Sequence, residues 1–189
     1  MAETNSRALA EHLELATRIE GLLPRVDEIG RVVVDCFAAN GRLYTFGNGG
    51  SSLDATHLAE ELVGRFKRER RPLPAQSLAV DAATLTCIAN DYSFEEVFER
   101  QVRAFARPGD VVVAFSTSGR SPNAVRGLAA AKEAGATTIL FGGGEGGPAL
   151  QHADHAVLVP SESTARIQEL HVFFLHLIVD RVDRWAAGE

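Results

Sequence analysis

Two side chains with acid–base or metal-binding chemistry share one face of a predicted helix. His57 and Glu61 are four residues apart, so a helix turns them the same way. A glycine-rich turn at residues 47–50 precedes this helix, and residues 43–46 before it are typical of a short buried strand. A strand, a glycine turn and a helix start expose backbone N–H groups together, as α/β proteins do to bind phosphate. A phosphate cradle beside an imidazole–carboxylate pair favours phosphosugar chemistry over simple nucleotide binding.

A second polar loop, S-T-S-G-R-S at residues 116–121, follows an apolar run at 111–115. Its hydroxyls, with the N–H groups of a helix predicted to begin near Pro122, can bind a phosphate dianion without a large fixed positive charge. The alternative is an ordinary turn with a serine N-cap. No lysine follows the glycines as in a Walker A motif, and G-N-G-G-S-S lacks the third glycine of a dinucleotide fingerprint. The candidate phosphate ligands are Ser116, Thr117, Ser118 and Ser121.

The last predicted helix, residues 164–185, carries polar groups in an otherwise very apolar sequence. Such groups are costly in a core unless they are paired or used. Each histidine could be a satisfied core residue or part of a site. The polar residues are Arg166, Gln168, Glu169, His171 and His176.

Apolar runs alternate with amphipathic stretches along the chain, which predicts an α/β fold. Candidate strands at 43–46, 75–80, 111–115, 136–141 and 155–159 predict a five-stranded parallel sheet in a three-layer sandwich with helices on both faces. We predict one domain, 1–189: an N-terminal helical pair at 1–41, an α/β core at 42–163 and a C-terminal helix at 164–189. The helical pair lies outside the β/α repeat, so we expect it to pack against a partner chain in a homo-oligomer.

Composition excludes some functions. The net charge of −6 argues against a broad nucleic-acid surface. The one basic cluster, residues 65–71, is predicted to be a solvated loop or helix end; an anionic substrate or a subunit contact is the alternative, with Arg65 best placed one turn beyond Glu61. Cys36 and Cys87 both have apolar neighbours and are predicted to be buried thiols. No apolar run could span a membrane and no signal-peptide pattern opens the chain, so a cytoplasmic location is expected.

Five motifs, in order, carry a resemblance to a known family: G-N-G-G-S, H-x-A-E-E-L-x-G-R, A-N-D, S-T-S-G-x-S and R-I-Q-E-x-H-x-x-x-x-H. Together they resemble the bacterial phosphoheptose isomerases of the sugar isomerase (SIS) domain superfamily, over residues 4–185. The S-T-S-G loop alone would indicate only the superfamily. The conjunction of His57, Glu61, Gln168 and His176 is much more specific.

The resemblance implies conversion of sedoheptulose 7-phosphate to D-glycero-D-manno-heptose 7-phosphate in a homotetramer. It implies that the S-T-S-G-R-S hydroxyls hold the phosphate, and that Glu61 is the general base and His176 the general acid. The implied zinc ligands, one ion per subunit, are His57, Glu61, Gln168 and His176. The implied sugar contacts are Asn48, Gly49, Gly50, Ser51, Asn90 and Asp91, to which we add Glu61, Arg65 and Gln168. Ser52 departs from members with a larger side chain there, and the glycine-rich residues 142–147 have no evident role.

Two tensions accompany these roles. A residue bound to zinc is not at the same time a free base or acid, so ligand and catalyst roles must alternate or one of them is wrong. Gln168 and His176 are eight residues apart, about 12 Å along a straight helix, so both reach one ion only at full stretch. By spacing alone His171 is a rival ligand. We follow the resemblance for His176 and predict a site at a subunit interface.

Three other functions are compatible with the fold. A non-catalytic SIS-fold adaptor could bind a replication initiator, and a sensor module could bind a phosphosugar. An isomerase or deaminase could act on another sugar phosphate, such as an amino sugar. The first two have no use for the four implied zinc ligands, whose presence favours the enzyme.

Overall fold

The computed structural model describes residues 2–189, so Met1 of the predicted domain lies outside the described residues. Strands and helices alternate after a pair of N-terminal helices. The helices are α1 (Ala2–Arg18), α2 (Leu23–Ala38), α3 (Gly50–Val63), α4 (Ala82–Asp91), α5 (Val97–Phe105), α6 (Pro122–Glu133) and α7 (Thr164–Ala187). The strands are β1 (Leu43–Gly47), β2 (Ala75–Ser77), β3 (Val111–Ser116), β4 (Thr137–Gly143) and β5 (His155–Val159). Short 3-10 turns cover Ile19–Leu22, Phe94–Glu96 and Pro148–His152.

The five strands form one parallel sheet in the order β2-β1-β3-β4-β5, as predicted. Thr45 of β1 lies beside Val113 of β3, which lies beside Ile139 of β4. The strand order reverses between β1 and β3. Ligands of open α/β sheets bind at such a switch point, beyond the carboxyl ends of the strands. The glycine turn after β1 and the serine loop, which we define as residues 116–121, both lie at this edge.

Each face of the sheet is covered by its own apolar layer. The layer that includes Val113, Phe115 and Phe141 packs against α2, α3 and α7. The other includes Val112 and Leu140 and packs against α5 and α6. Because alternate residues of a strand face opposite sides, the continuously apolar β3 serves both layers. The helices α3 and α7, which carry the predicted catalytic residues, are therefore neighbours on one face.

The boundaries differ from prediction where hydrogen bonds extend or end an element. The second strand ends at Ser77 rather than at 80. Helix α4 runs to Asp91 and so includes Asn90 and Asp91 of the A-N-D motif; the Tyr92 N–H donates to the Ile88 carbonyl. Strand β4 runs to Gly143 because its last residues pair with Leu158 and Val159 of β5, so part of the glycine-rich stretch is strand.

The two N-terminal helices do not both lie outside the core. Helix α2 buries Val26, Ile29, Val33 and Phe37 in the same apolar layer as α7, so it is part of the core of its own chain, and its contact with a partner chain stays a prediction. It is amphipathic, and its own chain covers the apolar face. Helix α1 leaves Leu9 and Leu13 more than half exposed.

The two cysteines lie in different environments. Cys36 is buried, as predicted, and burial raises the pKa of its thiol to about 11. Cys87 is exposed, so the prediction of a buried thiol is wrong there. Its apolar neighbour Ile88 faces the core while Cys87 lies on the solvent side of α4 and contacts Asp91. None of the helices formed by residues 2–189 combines the length and hydropathy that a bilayer-spanning segment needs.

Candidate active site

Helices α3 and α7 bring His57, Glu61 and His176 together within a single chain; we call these three residues the trio. One donor atom from each lies within 4.8 Å of the others. His57 Nε2 is 3.4 Å from Glu61 Oε1, and the two imidazole rings meet edge to face with centroids 5.0 Å apart. The trio therefore forms within one chain, and its predicted place at a subunit interface stays a prediction.

The trio is half-buried, and this environment favours neutral imidazole. Burial is the main cause that lowers the pKa of His176, and the neighbouring His57 lowers it further, while Glu61 acts in the opposite direction. The ring of Phe66 stacks on His176 at 5.4 Å. A neutral imidazole carries one N–H donor and one lone pair, so it can transfer a proton or ligate a metal.

The trio fits a zinc ion by donor type. Two imidazole nitrogens and one carboxylate oxygen are a ligand set that catalytic zinc uses, with further positions left for water or substrate. The three donor atoms are close enough for one ion to bind all of them after small side-chain rotations. The fit concerns donor chemistry and spacing, and the ligand roles stay predictions.

Gln168, the fourth implied zinc ligand, lies at the glycine turn. Its Nε2 is 3.5 Å from the Ser51 hydroxyl, and a Cβ on Gly50 would come within 2.5 Å of the same nitrogen. Gly50 thus leaves the space that this amide fills. The structure therefore places the Gln168 amide against the start of α3, and its role as a zinc ligand stays a prediction.

His171, the rival ligand by spacing, points into the protein. It is fully buried, its Nε2 lies 3.1 Å from the Gly142 carbonyl, and its ring packs edge-on against Phe115 and Phe141. Burial lowers its pKa to about 4. This placement excludes His171 from the trio and leaves His176 as the histidine of α7 that faces His57.

Asp54 is a residue that sequence reasoning missed. Its Oδ2 is buried without a hydrogen bond, 3.9 Å from the equally unpartnered Nδ1 of His171. Burial raises its pKa to about 6. An acid one turn before His57, among alanines on a core-facing helix, was a signal that could have drawn attention to it.

The paired titrations of Asp54 and His171 predict a pH effect on stability. The folded state holds Asp54 protonated up to about pH 6, so this group adds stability as pH falls from 6 toward 3.8. The folded state keeps His171 neutral, so that group loses stability as pH falls from 6.5 toward 4. The two effects oppose each other. Asp54→Asn removes the stabilisation that comes from protonating Asp54. As the pH falls from 6.5 to 4, the free energy of unfolding of the variant should therefore drop by about 2–3 kcal/mol relative to that of the parent.

Urea unfolding of both proteins at pH 4, 5 and 6.5 measures this difference. Parallel stability curves for the parent and the variant would show that Asp54 does not take up a proton in the folded state.

The glycine turn is held by its backbone and by Asn48. The side chains of Asn48 and Asn123 exchange two hydrogen bonds of 2.8 and 2.9 Å, which fix the turn to α6. Gly49 has a φ of +56°, a conformation that glycine adopts without strain. No side chain caps the start of α3; the N–H groups of Ser51 and Ser52 donate to the carbonyls of Asn48 and Gly49, each at 3.0 Å.

The serine loop borders a cavity of about 410 Å³. Thr117 and Ser118 line it, with Arg120, Glu162 and Thr164, three residues that sequence reasoning did not select. Ser116 is buried at the end of β3, and Ser121 begins α6 as its N-cap. Among the described residues, no protein group hydrogen-bonds the hydroxyl of Thr117 or Ser121. The loop therefore offers free donors, but the cavity lining includes none of the trio.

Comparison with known proteins decides the family. The SIS domain family model matches residues 9–143. The phosphoheptose isomerase of Geobacter sp. strain M21 is 45% identical over 97% of this chain and 96% of its own length. A solved phosphoheptose isomerase from Neisseria gonorrhoeae superposes with a TM-score of 0.91 at 35% identity, covering 96% of this chain and 98% of its own. One from Francisella tularensis superposes with a TM-score of 0.94 at 29% identity, covering 97% and 98%.

The chain belongs to the phosphoheptose isomerase family of SIS-domain proteins. This membership confirms the family resemblance and the SIS-like three-layer fold predicted from the sequence. The roles of individual residues in this family member rest on its own geometry.

Three residues predicted to bind substrate are exposed in this phosphoheptose isomerase family member. Asn90 and Asp91 are exposed in the last turn of α4, where the Asn90 amide donates to the Asp91 carboxylate at 2.8 Å. Arg65 is exposed and lies 4.0 Å from Glu69. Their substrate contacts stay predictions.

The basic segment 65–71 is not simply solvated, which corrects the prediction for Arg70. The Arg70 side chain is fully buried and pairs at 3.1 Å with the fully buried Asp183 of α7. Its guanidinium also donates to the carbonyls of Glu61 and Leu62, at 2.6 and 2.8 Å. Arg70 thus caps the end of α3 and joins it to α7, the two helices that carry the trio.

The other polar residues of α7 hold helix α1. Glu169 forms an ion pair with Arg166 and lies 2.7 Å from His12, while Arg166 donates to the Ala8 carbonyl at 2.7 Å. Arg166 and Glu169 therefore have a structural role, which is to hold α1 against α7. A second cavity, of about 670 Å³ between α2 and α7, is lined by none of the predicted site residues.

Proposed function

We propose that this family member isomerises sedoheptulose 7-phosphate to D-glycero-D-manno-heptose 7-phosphate. The observation that carries the proposal is the trio of His57, Glu61 and His176, formed between two helices in a chain 45% identical to a phosphoheptose isomerase over nearly its whole length. A sensor or adaptor would need the fold and the serine loop, and would have no use for the trio.

The reaction moves a proton between C1 and C2 of the sugar through an enediol. Glu61 would remove the proton from carbon and return it to the neighbouring carbon. His176, neutral because burial and His57 lower its pKa, would pass a proton between the two sugar oxygens. The serine loop would hold the phosphate through hydroxyls and backbone N–H groups. The glycine turn, with Gln168 against it, would contact the sugar between its phosphate and its reacting carbons.

We propose zinc as the cofactor, held by His57, Glu61 and His176, with Gln168 as the fourth ligand implied by the family. Bound zinc would polarise the substrate carbonyl and stabilise the enediolate as a Lewis acid. Glu61 can act as a base only while its carboxylate is not fully engaged as a ligand, so its two roles would alternate.

We also propose that the protein is a homotetramer located in the cytoplasm. The exposed apolar side chains of Leu9 and Leu13 on α1, and of Phe173 and Leu177 on α7, support association of subunits.

The direct test is incubation of the purified protein with sedoheptulose 7-phosphate in D2O, with NMR detection of the aldose and elemental analysis of bound metal. We expect the heptose 7-phosphate to form with solvent deuterium at C2, and about one zinc per chain. Binding of the sugar phosphate without turnover would favour the sensor. Conversion of an amino-sugar phosphate instead of sedoheptulose 7-phosphate would favour an isomerase or deaminase that acts on another sugar phosphate.

A further inference from the structure

We infer that the glycine-rich loop, residues 142–147, is the template that sets the shape of the serine loop and thereby the affinity for phosphate. This inference rests on the proposed function only in taking the serine loop to be the phosphate site. It gives a role to a segment for which the sequence suggested none.

The two loops touch through their backbones. Gly119 of the serine loop has a φ of +60°, and a Cβ added there would overlap the carbonyl oxygen of Gly146. A Cβ on Gly147 would lie 2.6 Å from the Ser118 carbonyl oxygen, closer than real Cβ atoms approach. Ala149, just after the glycine-rich loop, donates its N–H to the Gly119 carbonyl at 3.0 Å. Glycine on both sides is what permits this approach.

A third glycine extends the contact to the start of the serine loop. A Cβ on Gly143 would lie 2.7 Å from the Thr117 carbonyl oxygen. The backbone of residues 117–119 therefore rests on the glycine-rich loop, although at Gly143 the side chain of Ile167 is closer still, 2.3 Å from an added Cβ. The contact uses the carbonyls of Thr117, Ser118 and Gly119, and it leaves the Thr117 hydroxyl free for a ligand.

Because this backbone contact shapes the serine loop, disturbing it should change phosphate binding and leave the trio unaffected. Anion binding by a loop depends on several N–H and hydroxyl donors converging on one point. The Gly119 N–H, in the same peptide as the Ser118 carbonyl, donates to the Ser116 carbonyl at 3.1 Å, so moving the Ser118 carbonyl disturbs this turn and with it the direction of the loop's hydroxyls. The residues that set this carbonyl are positioning residues, because they touch the loop and not the phosphate.

Gly147→Ala tests the contact, and Gly144→Ala is the matched control. Gly147 and Gly144 have nearly equal φ values of +54° and +55°, so alanine meets a positive φ at either position. A Cβ on Gly144, however, would find only the Ser161 carbonyl, at 3.9 Å. We expect Gly147→Ala to weaken the binding of inorganic phosphate at least about tenfold, and Gly144→Ala to keep it within about twofold of the parent.

Calorimetry with inorganic phosphate measures these affinities, and competition with a chromophoric chelator measures zinc affinity in the same variants. Zinc affinity should be equal in both variants and the parent, since the trio is untouched. Equal phosphate affinity in the two variants, or a loss of zinc affinity in Gly147→Ala alone, would overturn the inference. Because the readout is binding, a parent protein that binds phosphate but does not isomerise the sugar refutes the proposed function without refuting the template.

Hydrogen exchange of the unaltered protein gives a second test that needs no variant to fold. If the loops form one unit, saturating phosphate should slow exchange of the Ala149 N–H, which donates to Gly119, by about tenfold or more. The Thr137 N–H, bonded to Asp110 at the opposite end of the sheet, is the internal control. An Ala149 N–H whose exchange is unchanged by bound phosphate would contradict the inference.

Discussion

Glu61→Gln and His176→Gln should each lower the turnover number of the isomerase at least about 10²-fold, while both variants still bind phosphosugar. Glutamine keeps the size and hydrogen-bonding capacity of Glu61 but cannot accept a proton from carbon at neutral pH. The same residue in place of His176 has no titratable nitrogen to relay a proton. Binding should survive because the serine loop, which would hold the phosphate, does not depend on either side chain.

Glu60→Gln is the matched control for these variants. Glu60 neighbours Glu61 on α3 but is exposed, and it is not part of the trio. The control should turn over sedoheptulose 7-phosphate within about twofold of the parent rate. Near-normal rates for Glu61→Gln and His176→Gln would show that the acid–base mechanism is wrong.

Arg70→Ala should lower the free energy of unfolding by about 3–5 kcal/mol. The substitution removes the nearer of the two guanidinium partners of the fully buried Asp183, which keeps Arg68 at 3.7 Å and hydrogen bonds from the N–H groups of Lys67 and Arg68. It also removes the donors to the carbonyls of Glu61 and Leu62 at the end of α3. Breaking a buried ion pair from one side costs much more than the pair contributes when intact.

Arg65→Ala is the control, because it removes an arginine of the same segment whose side chain is exposed and whose carboxylate partner is 4.0 Å away. It should cost no more than about 1 kcal/mol. Urea unfolding of the two variants beside the parent compares them directly. A loss in Arg70→Ala no larger than that in Arg65→Ala would mean that the pair with Asp183 does not hold α3 to α7.

The sequence was sufficient to predict the sheet because its signals are local. Residues 111–115 are continuously apolar and begin with three β-branched valines, which suits a central parallel strand, and glycine or proline turns separate the elements. The pairing of His57 with Glu61 follows from helix geometry alone. These features need no knowledge of which segments meet in space.

Three features that could not be predicted from the sequence depend on contacts between distant segments. Arg70 looked like one of several surface charges, and only the approach of α7 puts Asp183 against it. Gln168 and His176 were hard to reconcile because spacing along one helix does not say which turn of α3 faces each of them. The glycine-rich loop has no chemistry of its own, so its contact with the serine loop could not be read from residue types.

A crystal structure of the protein with bound sedoheptulose 7-phosphate would test the central claim most directly. The account predicts that the phosphate contacts the hydroxyls of the serine loop while C1 and C2 lie within about 3–3.5 Å of the Glu61 carboxylate. A substrate bound with its phosphate at the serine loop but its reacting carbons away from Glu61 and His176 would contradict it.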